Sequence, residues 1–218
     1  MSEGGSLSVA PFRALLSSEQ WEVLKSYPSR PHPAGDILLR QGEDGRHVLA
    51  LIDGLVKIIR HDRDGRRRLL AFRGEGEILG EMALRPGGAR LAEVRTMSAC
   101  RVTTICADEF RRFVSDHQLA ILIAEMAFNR LQEQTEAHDG AVHERLAKAL
   151  VRLVEVSGGQ ASFSLTREEL AQHIGVGRKS VSKALEQLGP GLVQAGKSRI
   201  GVISLDGLRE IATHCVGQ

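Results

Sequence analysis

Arg178, Lys179, Ser180, Ser182 and Lys183 place five hydrogen-bonding side chains within six consecutive positions. Helical spacing sets them opposite an apolar group, Val181, Ala184, Leu185 and Leu188. Such a face suits a polyanion with readable edges. An arginine fork matches the O6 and N7 acceptors of guanine, and lysine or serine can serve base edges or phosphate oxygens. Just upstream, Thr166-Arg167-Glu168-Glu169 has capping-box spacing and starts a helix through Leu170, Ala171 and Ile174. Gly175 stands where a tight turn demands positive φ, Val176 plugs inward, and Ala171 is small enough to let two helices approach. Two short helices joined in this way form a helix-turn-helix, whose second helix offers its N-terminal residues to the major groove. Leu192-Val193-Gln194, Ala195-Gly196-Lys197-Ser198 and Arg199–Ser204 then read as a β-hairpin wing, with Lys197 and Arg199 near the phosphate backbone. Thr166, Arg178, Lys179, Ser180, Ser182, Lys183, Lys197 and Arg199 are the candidate DNA-contacting residues. The competing reading is a helical hairpin with a solvated basic face, in a ligand-binding module that has no role on DNA.

Other chemistries are poorly supplied. Cys100, Cys106 and Cys215 are odd in number, scattered and without C-x-x-C spacing, which suits a reducing cytoplasm and argues against a disulfide framework or a zinc site. Glu81 with Asp108 or Glu109 offers paired carboxylates, but no nucleophile–base pairing supports an enzyme. No apolar run approaches the ~20 residues of a bilayer span, and Met1–Ala10 lacks the basic flank and apolar stretch of a leader. The net charge of +2 is nearly uninformative, but its distribution is not. Residues 142–218 hold 10 basic against 7 acidic side chains, whereas residues 1–141 hold 19 against 20. The positive excess therefore sits beside the DNA-reading motif.

The elements that must position these residues form an α+β chain of 218 residues, enough for two domains. Ser17-x-x-Gln20 caps a helix carrying Trp21, Val23 and Leu24. From about Pro31 to Cys106, short apolar runs (Ile37–Leu39, Val48–Ile52, Leu55–Ile59, Leu69–Phe72, Ala92–Met97, Val102–Cys106) alternate with Gly and Asp. Asp64-Gly65 between two runs marks a hairpin, and the set predicts a β-roll or sandwich. A short helix over Asp108–Val114 precedes a long one with Asp116 as N-cap, along which Leu119, Leu122, Met126, Leu131 and Gln134 trace one side. That stripe predicts pairing with a second copy, or docking on the chain's own β domain. Asp139-Gly140 is a plausible hinge, and a further helix spans Val142–Val156. The expected organisation is an effector domain over 1–115, a dimerisation helix and hinge over 116–141, and a winged helix-turn-helix over 142–218.

Gly80-Glu81-Met82-Ala83-Leu84, Arg90-Leu91-Ala92 and the segment Thr166–Leu188 carry a likeness to a known family. From about Phe12 onward the chain resembles the cyclic-AMP receptor and fumarate-nitrate regulator (CRP/FNR) family of bacterial transcription factors. The resemblance implies a cytoplasmic homodimer that binds a near-palindromic operator on double-stranded DNA and meets RNA polymerase. The first two segments look like the family's phosphate-binding cassette, G-E-x-A-L…R-[ST]-A, which implies a cyclic nucleotide, cyclic AMP foremost. In that likeness Gly80-Glu81 opens a short helix whose free amides favour an anion, Glu81 accepts from a ribose hydroxyl, and Arg90 neutralises a cyclic phosphate with two donors. Met82, Ala83, Leu91 and Ala92 complete the cassette, and Gln134 and Thr135 map onto the family's base-contacting pair. Structural alternatives for the charged residues are an internal Glu81–Arg90 ion pair, or Arg90 on an exposed loop.

Two departures matter. Leu91 replaces the usual Ser or Thr, removing a phosphate hydrogen bond. Lys179 stands where the cyclic-AMP receptor pattern has an acidic residue, and Lys183 where it has Arg, so a different operator is expected. An iron–sulfur cluster would need about four Cys ligands and is not expected. Haem on His32, His47, His61 or His117, and DNA binding that needs no effector, are the remaining alternatives.

Overall fold

The computed structural model describes residues 10–213 apart from Pro86. Cys215 and nearly all of Met1–Ala10 lie outside the described residues. Eight strands, β1 (Ser29–His32), β2 (Ile37–Leu39), β3 (His47–Asp53), β4 (Val56–His61), β5 (Arg67–Arg73), β6 (Ile78–Leu79), β7 (Glu93–Thr96) and β8 (Cys100–Cys106), build the N-terminal part. They form two antiparallel four-stranded sheets, ordered β1-β8-β3-β6 and β2-β7-β4-β5. Strand alternation divides β3 between two cores. Leu49 and Leu51 face the second sheet with Leu39, Val56, Val94 and Val102. Val48 and Ala50 face outward onto a helical layer. That layer is α1 (Ser18–Lys25), α2 (Ala107–Asp116) and α3 (Ala120–Glu136), which bury Trp21, Leu24, Phe110, Phe113 and Met126 against the sheet. The Ser17–Gln20 capping box starts α1 as the spacing predicted.

The long helix differs from expectation. Asp116 is the last residue of α2 and caps nothing downstream, because the chain breaks over His117–Leu119. Gln118 takes φ +56°, the Leu119 amide returns to Val114 O at 2.9 Å, and the His117 ring sits 4.7 Å from Phe113. Burying Leu119 in the helix–sheet core drives this break. The expected stripe also divides. Leu119, Leu122 and Met126 dock on the chain's own β domain, whereas Leu131 is 62% exposed. Among the described residues no helix is long and apolar enough to cross a membrane.

After Gly140, α4 (Val142–Val156) begins the C-terminal part with the bounds expected from sequence. Strand β9 (Ser162–Phe163), α5 (Arg167–Ile174), α6 (Arg178–Leu188), the β10 (Val193–Ala195)–β11 (Ile200–Val202) hairpin and α7 (Leu205–Thr213) follow. This unit shares one core with the outer face of β4 and β5. Leu55, Ile59, Leu69 and Phe72 pack with Leu146, Leu150, Leu153, Leu170 and Ile174. Polar contacts pin the junction: Lys57 pairs with Glu169 at the start of α5, and the His173 ring bonds Leu69 O at 3.1 Å beside Phe72. Gly74 is required here, since a Cβ would fall 1.6 Å from Val156 O.

Burial drives His173 below its usual value, with the Leu69 carbonyl and Glu133 opposing. Burial raises Glu169, but Lys57 and Thr166 outweigh it and hold the carboxyl below the usual range. The unfolded chain would protonate its histidines near pH 6.5, at about the free imidazole value. A depressed folded pKa thus gives stability that is whole above that pH and lost as pH falls through the folded value. We predict that thermal melts lose stability from pH 7.5 to pH 5.5, and that His173→Gln flattens the loss between pH 7 and pH 6. An unchanged slope in the variant would contradict the assignment.

Candidate functional site

Gly80 opens a single 3₁₀ turn, Glu81–Ala83, in the left-handed conformation (φ +89°). Within that turn the Ala83 and Leu84 amides bond back to Gly80 O and Glu81 O, and the Glu81 and Met82 amides are left without a partner in the turn. A side chain on Gly80 would also collide with Arg90, whose Nη1 lies 2.3 Å from the place a Cβ would take. The Arg90 loop is laced to residues 42–45: Gly42 N bonds Arg90 O, Arg90 N bonds Glu43 O, and Gly45 N bonds Gly88 O, at 2.8–3.0 Å.

Arg90 is only 4% exposed, so it does not sit on an open loop. Nor does it pair with Glu81. Its guanidinium donates to Gly80 O at 2.7 Å and to His47 O, and no described carboxylate lies within ion-pair distance. Burial pushes its pKa down, with Glu43 and Glu81 only partly offsetting. His47, beside it, is lowered by burial and by the Arg90 charge. Met82 and Leu91 are each half exposed, Ala83 is buried and Ala92 partly buried.

Glu81 belongs instead to a buried chain of alternating charge. Arg130 of α3 pairs with Glu81 and, at 2.9 Å, with Glu77. Glu77 lies 3.7 Å from Arg73, which forks onto Glu133 of α3 at 2.7 and 3.1 Å, and Arg152 of α4 reaches Glu133 at 3.3 Å. Burial alone would lower Arg130, but Glu81, Glu77 and Glu133 together raise it. Burial would raise Glu133, yet Arg73 and Arg152 hold it below the carboxylate range. Arg130 Nε has no partner among the described residues. Sequence reasoning missed this chain. The available signal was Arg73, Glu77 and Glu81 spaced by four among apolar strand residues, and Arg130 beside Met126 on the docking side of α3.

Gln134, partly buried, lies one helical turn beyond Arg130, and Thr135 is exposed, its hydroxyl returned to Leu131 O at 3.1 Å. No bond joins either side chain to the cassette. The four histidines weighed as haem ligands sit apart, in β1, β3 and β4 and after α2. Among the described residues no cluster of His, Cys, Asp or Glu could hold a metal ion.

At the other end, the Thr166–Glu169 capping box is reciprocal and Gly175 turns left-handed (φ +66°). Val181, Ala184, Leu185 and Leu188 are buried, while Arg178, Lys179, Ser180 and Lys183 are exposed and Ser182 half-buried. Lys197 and Arg199 lie exposed on the hairpin turn. Arg167 holds that turn to α5 by donating to Ala195 O and Gly196 O.

The charge chain yields a stability prediction. Arg130→Leu leaves Glu81 buried without its cation and Glu77 with only the longer pair to Arg73, and costs about 3–5 kcal/mol in urea titration. Adding Glu77→Gln and Glu81→Gln restores most of it. A single variant as stable as the parent would contradict the pairing.

Two family models match the chain: the cyclic nucleotide-binding domain over residues 29–117 and the Crp-like helix-turn-helix domain over residues 144–211. A CRP-like cAMP-activated global transcriptional regulator of Mycobacterium tuberculosis is 30% identical over 164 residues, covering 70% of this chain and 73% of the relative. The cyclic AMP receptor protein of Thermus thermophilus is 29% identical over 211 residues, 92% of this chain and 95% of its own. Among solved structures, a CRP/FNR-family transcriptional regulator from Thermus thermophilus superposes with a TM-score of 0.68 at 23% identity, covering 85% of this chain and 98% of that one. A β-roll of the cyclic nucleotide-binding type, joined through α3 and α4 to a helix-turn-helix with a free basic face, is the arrangement of a regulator rather than an enzyme, and the chain belongs to the CRP/FNR family of transcription regulators.

Proposed function

We propose that this regulator acts in the cytoplasm as a homodimer on near-palindromic DNA, and that a cyclic nucleotide, cyclic AMP first, sets its affinity. The observation that carries the reading is Arg90, a buried guanidinium with neutral acceptors and no carboxylate partner among the described residues. A buried cation of this kind is costly unless an anion completes it. Two of its five donors are used, and the rest, with the Glu81 and Met82 amides, fit the anionic part of such a ligand. Gly80, Ala83, Leu91 and Ala92 would form the walls, with Gln134 and Thr135 approaching from α3. Glu81 would meet the ligand while held by Arg130. Leu91 supplies no hydroxyl, so Arg90 carries more of the anion's binding here. The names of the M. tuberculosis and T. thermophilus relatives support cyclic AMP.

The homodimer rests on α3. Ile121, Ala124, Phe128, Leu131 and Thr135 are all exposed and recur at alternating spacings of three and four. That is the a/d spacing of a two-stranded coiled coil, and among the described residues nothing covers it. A parallel pair of α3 helices would carry two α6 helices to successive major grooves about 34 Å apart. Thr166, Arg178, Lys179, Ser180, Ser182, Lys183, Lys197 and Arg199 would face the DNA, and RNA polymerase would be met at the promoter.

Calorimetric titration with cyclic AMP, cyclic GMP and cyclic di-GMP tests the effector site. Saturable binding of one of them, weakened roughly 10- to 100-fold by Arg90→Ala, is expected from the loss of a charge-assisted pair. Binding untouched by the variant, or none in ligand-free protein, would refute the cassette. Sedimentation of Phe128→Glu should give monomer where the parent gives dimer, and an unchanged dimer would refute the seam.

A further inference from the structure

The β4–β5 hairpin ends in Arg60-His61-Asp62-Arg63-Asp64-Gly65-Arg66-Arg67-Arg68, five arginines against two aspartates. Its loop is firmly built. Asp62 N bonds Arg66 O at 2.8 Å, Gly65 takes φ +82°, and the Gln41 side chain exchanges two bonds with the His61 backbone at 2.7 and 2.8 Å. Asp62 is shared by Arg60 and Arg68, and Asp64 is taken by Arg66. Arg63 and Arg67 have no acidic partner within 4 Å among the described residues, and both are exposed.

The position of this tip relative to the DNA-reading helices gives the charge its meaning. Glu169 meets Lys57, which pairs in register with Phe72; one turn later His173 meets Leu69, which pairs with Ile59, nearer the tip. Helix α5 therefore runs along the outer face of the hairpin toward its tip, and delivers the Gly175–Gly177 turn and the start of α6 on that side. By strand alternation Arg67 shares the face of Leu69, the next position beyond the His173 contact. At about 3.3 Å per residue, the loop reaches roughly 10 Å past the Ile59–Leu69 rung. The arginines of the hairpin thus lie on the side toward which α5 carries the start of α6 with Arg178 and Lys179.

We propose that this tip, through Arg63, Arg66 and Arg67, is a second DNA-contacting element that grips backbone phosphates beside the half-site read by α6. The proposal rests on the DNA-binding reading above. Guanidinium forks match phosphate oxygens in pairs, and a rigid hairpin presents them at little ordering cost. The contact adds affinity without base preference, because phosphates carry no sequence. The other partner of suitable charge is an acidic protein surface. The direction of α5, which runs toward the tip and leads into α6, favours DNA.

The test uses the full chain with a 40-base-pair duplex bearing an operator selected in vitro from random sequence. Binding of the parent, Arg63→Ala/Arg67→Ala and Arg63→Lys/Arg67→Lys is measured by anisotropy from 50 to 300 mM salt, with melting curves to verify folding. The alanine pair should lower the slope of log affinity against log salt by about 3.6, two lost phosphate contacts from each protomer of the dimer, with base preference unchanged. The lysine pair should keep most of the slope, and a duplex trimmed to the bare half-sites should erase the difference. Equal slopes in parent and alanine pair overturn the proposal while leaving α6 as the reader. Polymerase-dependent transcription lost at unchanged DNA affinity also overturns it, and assigns the tip to an acidic protein. A parent that shows no sequence preference on DNA fails the earlier reading as well.

Discussion

Three glutamates and three arginines, alternating from Glu81 through Arg130, Glu77, Arg73 and Glu133 to Arg152, are the constraint on which the arrangement of this molecule depends. Taking one such charge out of water costs several kcal/mol, and only close opposite partners offset it. The chain therefore tolerates little displacement of its members. Those members belong to the 3₁₀ turn of the cassette, the end of β5, the approach to β6, the second half of α3 and the last turns of α4. One electrostatic requirement thus fixes the cassette, the α3 helix and the first helix of the DNA-binding unit relative to one another. Hydrophobic burial supplies most of the stability on either side, but it is non-directional and would accept small slides that the ion pairs do not.

A similar constraint governs the junction between the two parts. The outer face of β4 and β5 would be an exposed apolar patch if left bare, and α4 and α5 cover it. Docking occupies α5 and leaves α6 with its basic side in solvent. The contacts at this junction, Lys57 with Glu169 and His173 with Leu69 O, fall on the helix that precedes the reader and not on the reader itself. An altered position of the β-roll must therefore move α6 as a body, through α5, and not by reshaping its surface. Glu169 is at once the ion-pair partner of Lys57 and the acceptor that caps α5 at Thr166, so helix start and domain contact stand or fall together.

Much of this was legible in the sequence where the signal is local. The bounds of α4, α5 and α6, both capping boxes and the wing follow from caps, glycines and apolar spacing within a few residues of each other. Six strands announce themselves as apolar runs. Strands β1 and β6 do not, because Ser29–His32 is polar with a proline and Ile78–Leu79 is only two residues long. The break at His117–Leu119 was hidden because its cause is tertiary: Leu119 is pulled into a core whose other members lie far away in sequence. The cassette residues were singled out by resemblance, but their electrostatics were not. A Glu81–Arg90 pair is the natural guess from nearness in sequence, whereas the true partner, Arg130, is 49 residues away. The exposed stripe of α3 was masked in the same way. Two apolar stripes share one helix, and only the fold shows which is buried on the chain's own sheet.

On the proposed function, occupancy of the cassette and binding of DNA are one linked equilibrium. Linkage makes the test sharp, because the coupling must be the same read from either end. Operator affinity would be measured with no cyclic AMP and with saturating cyclic AMP, and cyclic AMP affinity with and without saturating operator. Each ligand should tighten the other by one common factor, on the order of 5- to 150-fold for ordinary coupling energies. Operator affinity that is identical at zero and saturating nucleotide would contradict it, and leave a family member whose DNA binding is independent of its cassette.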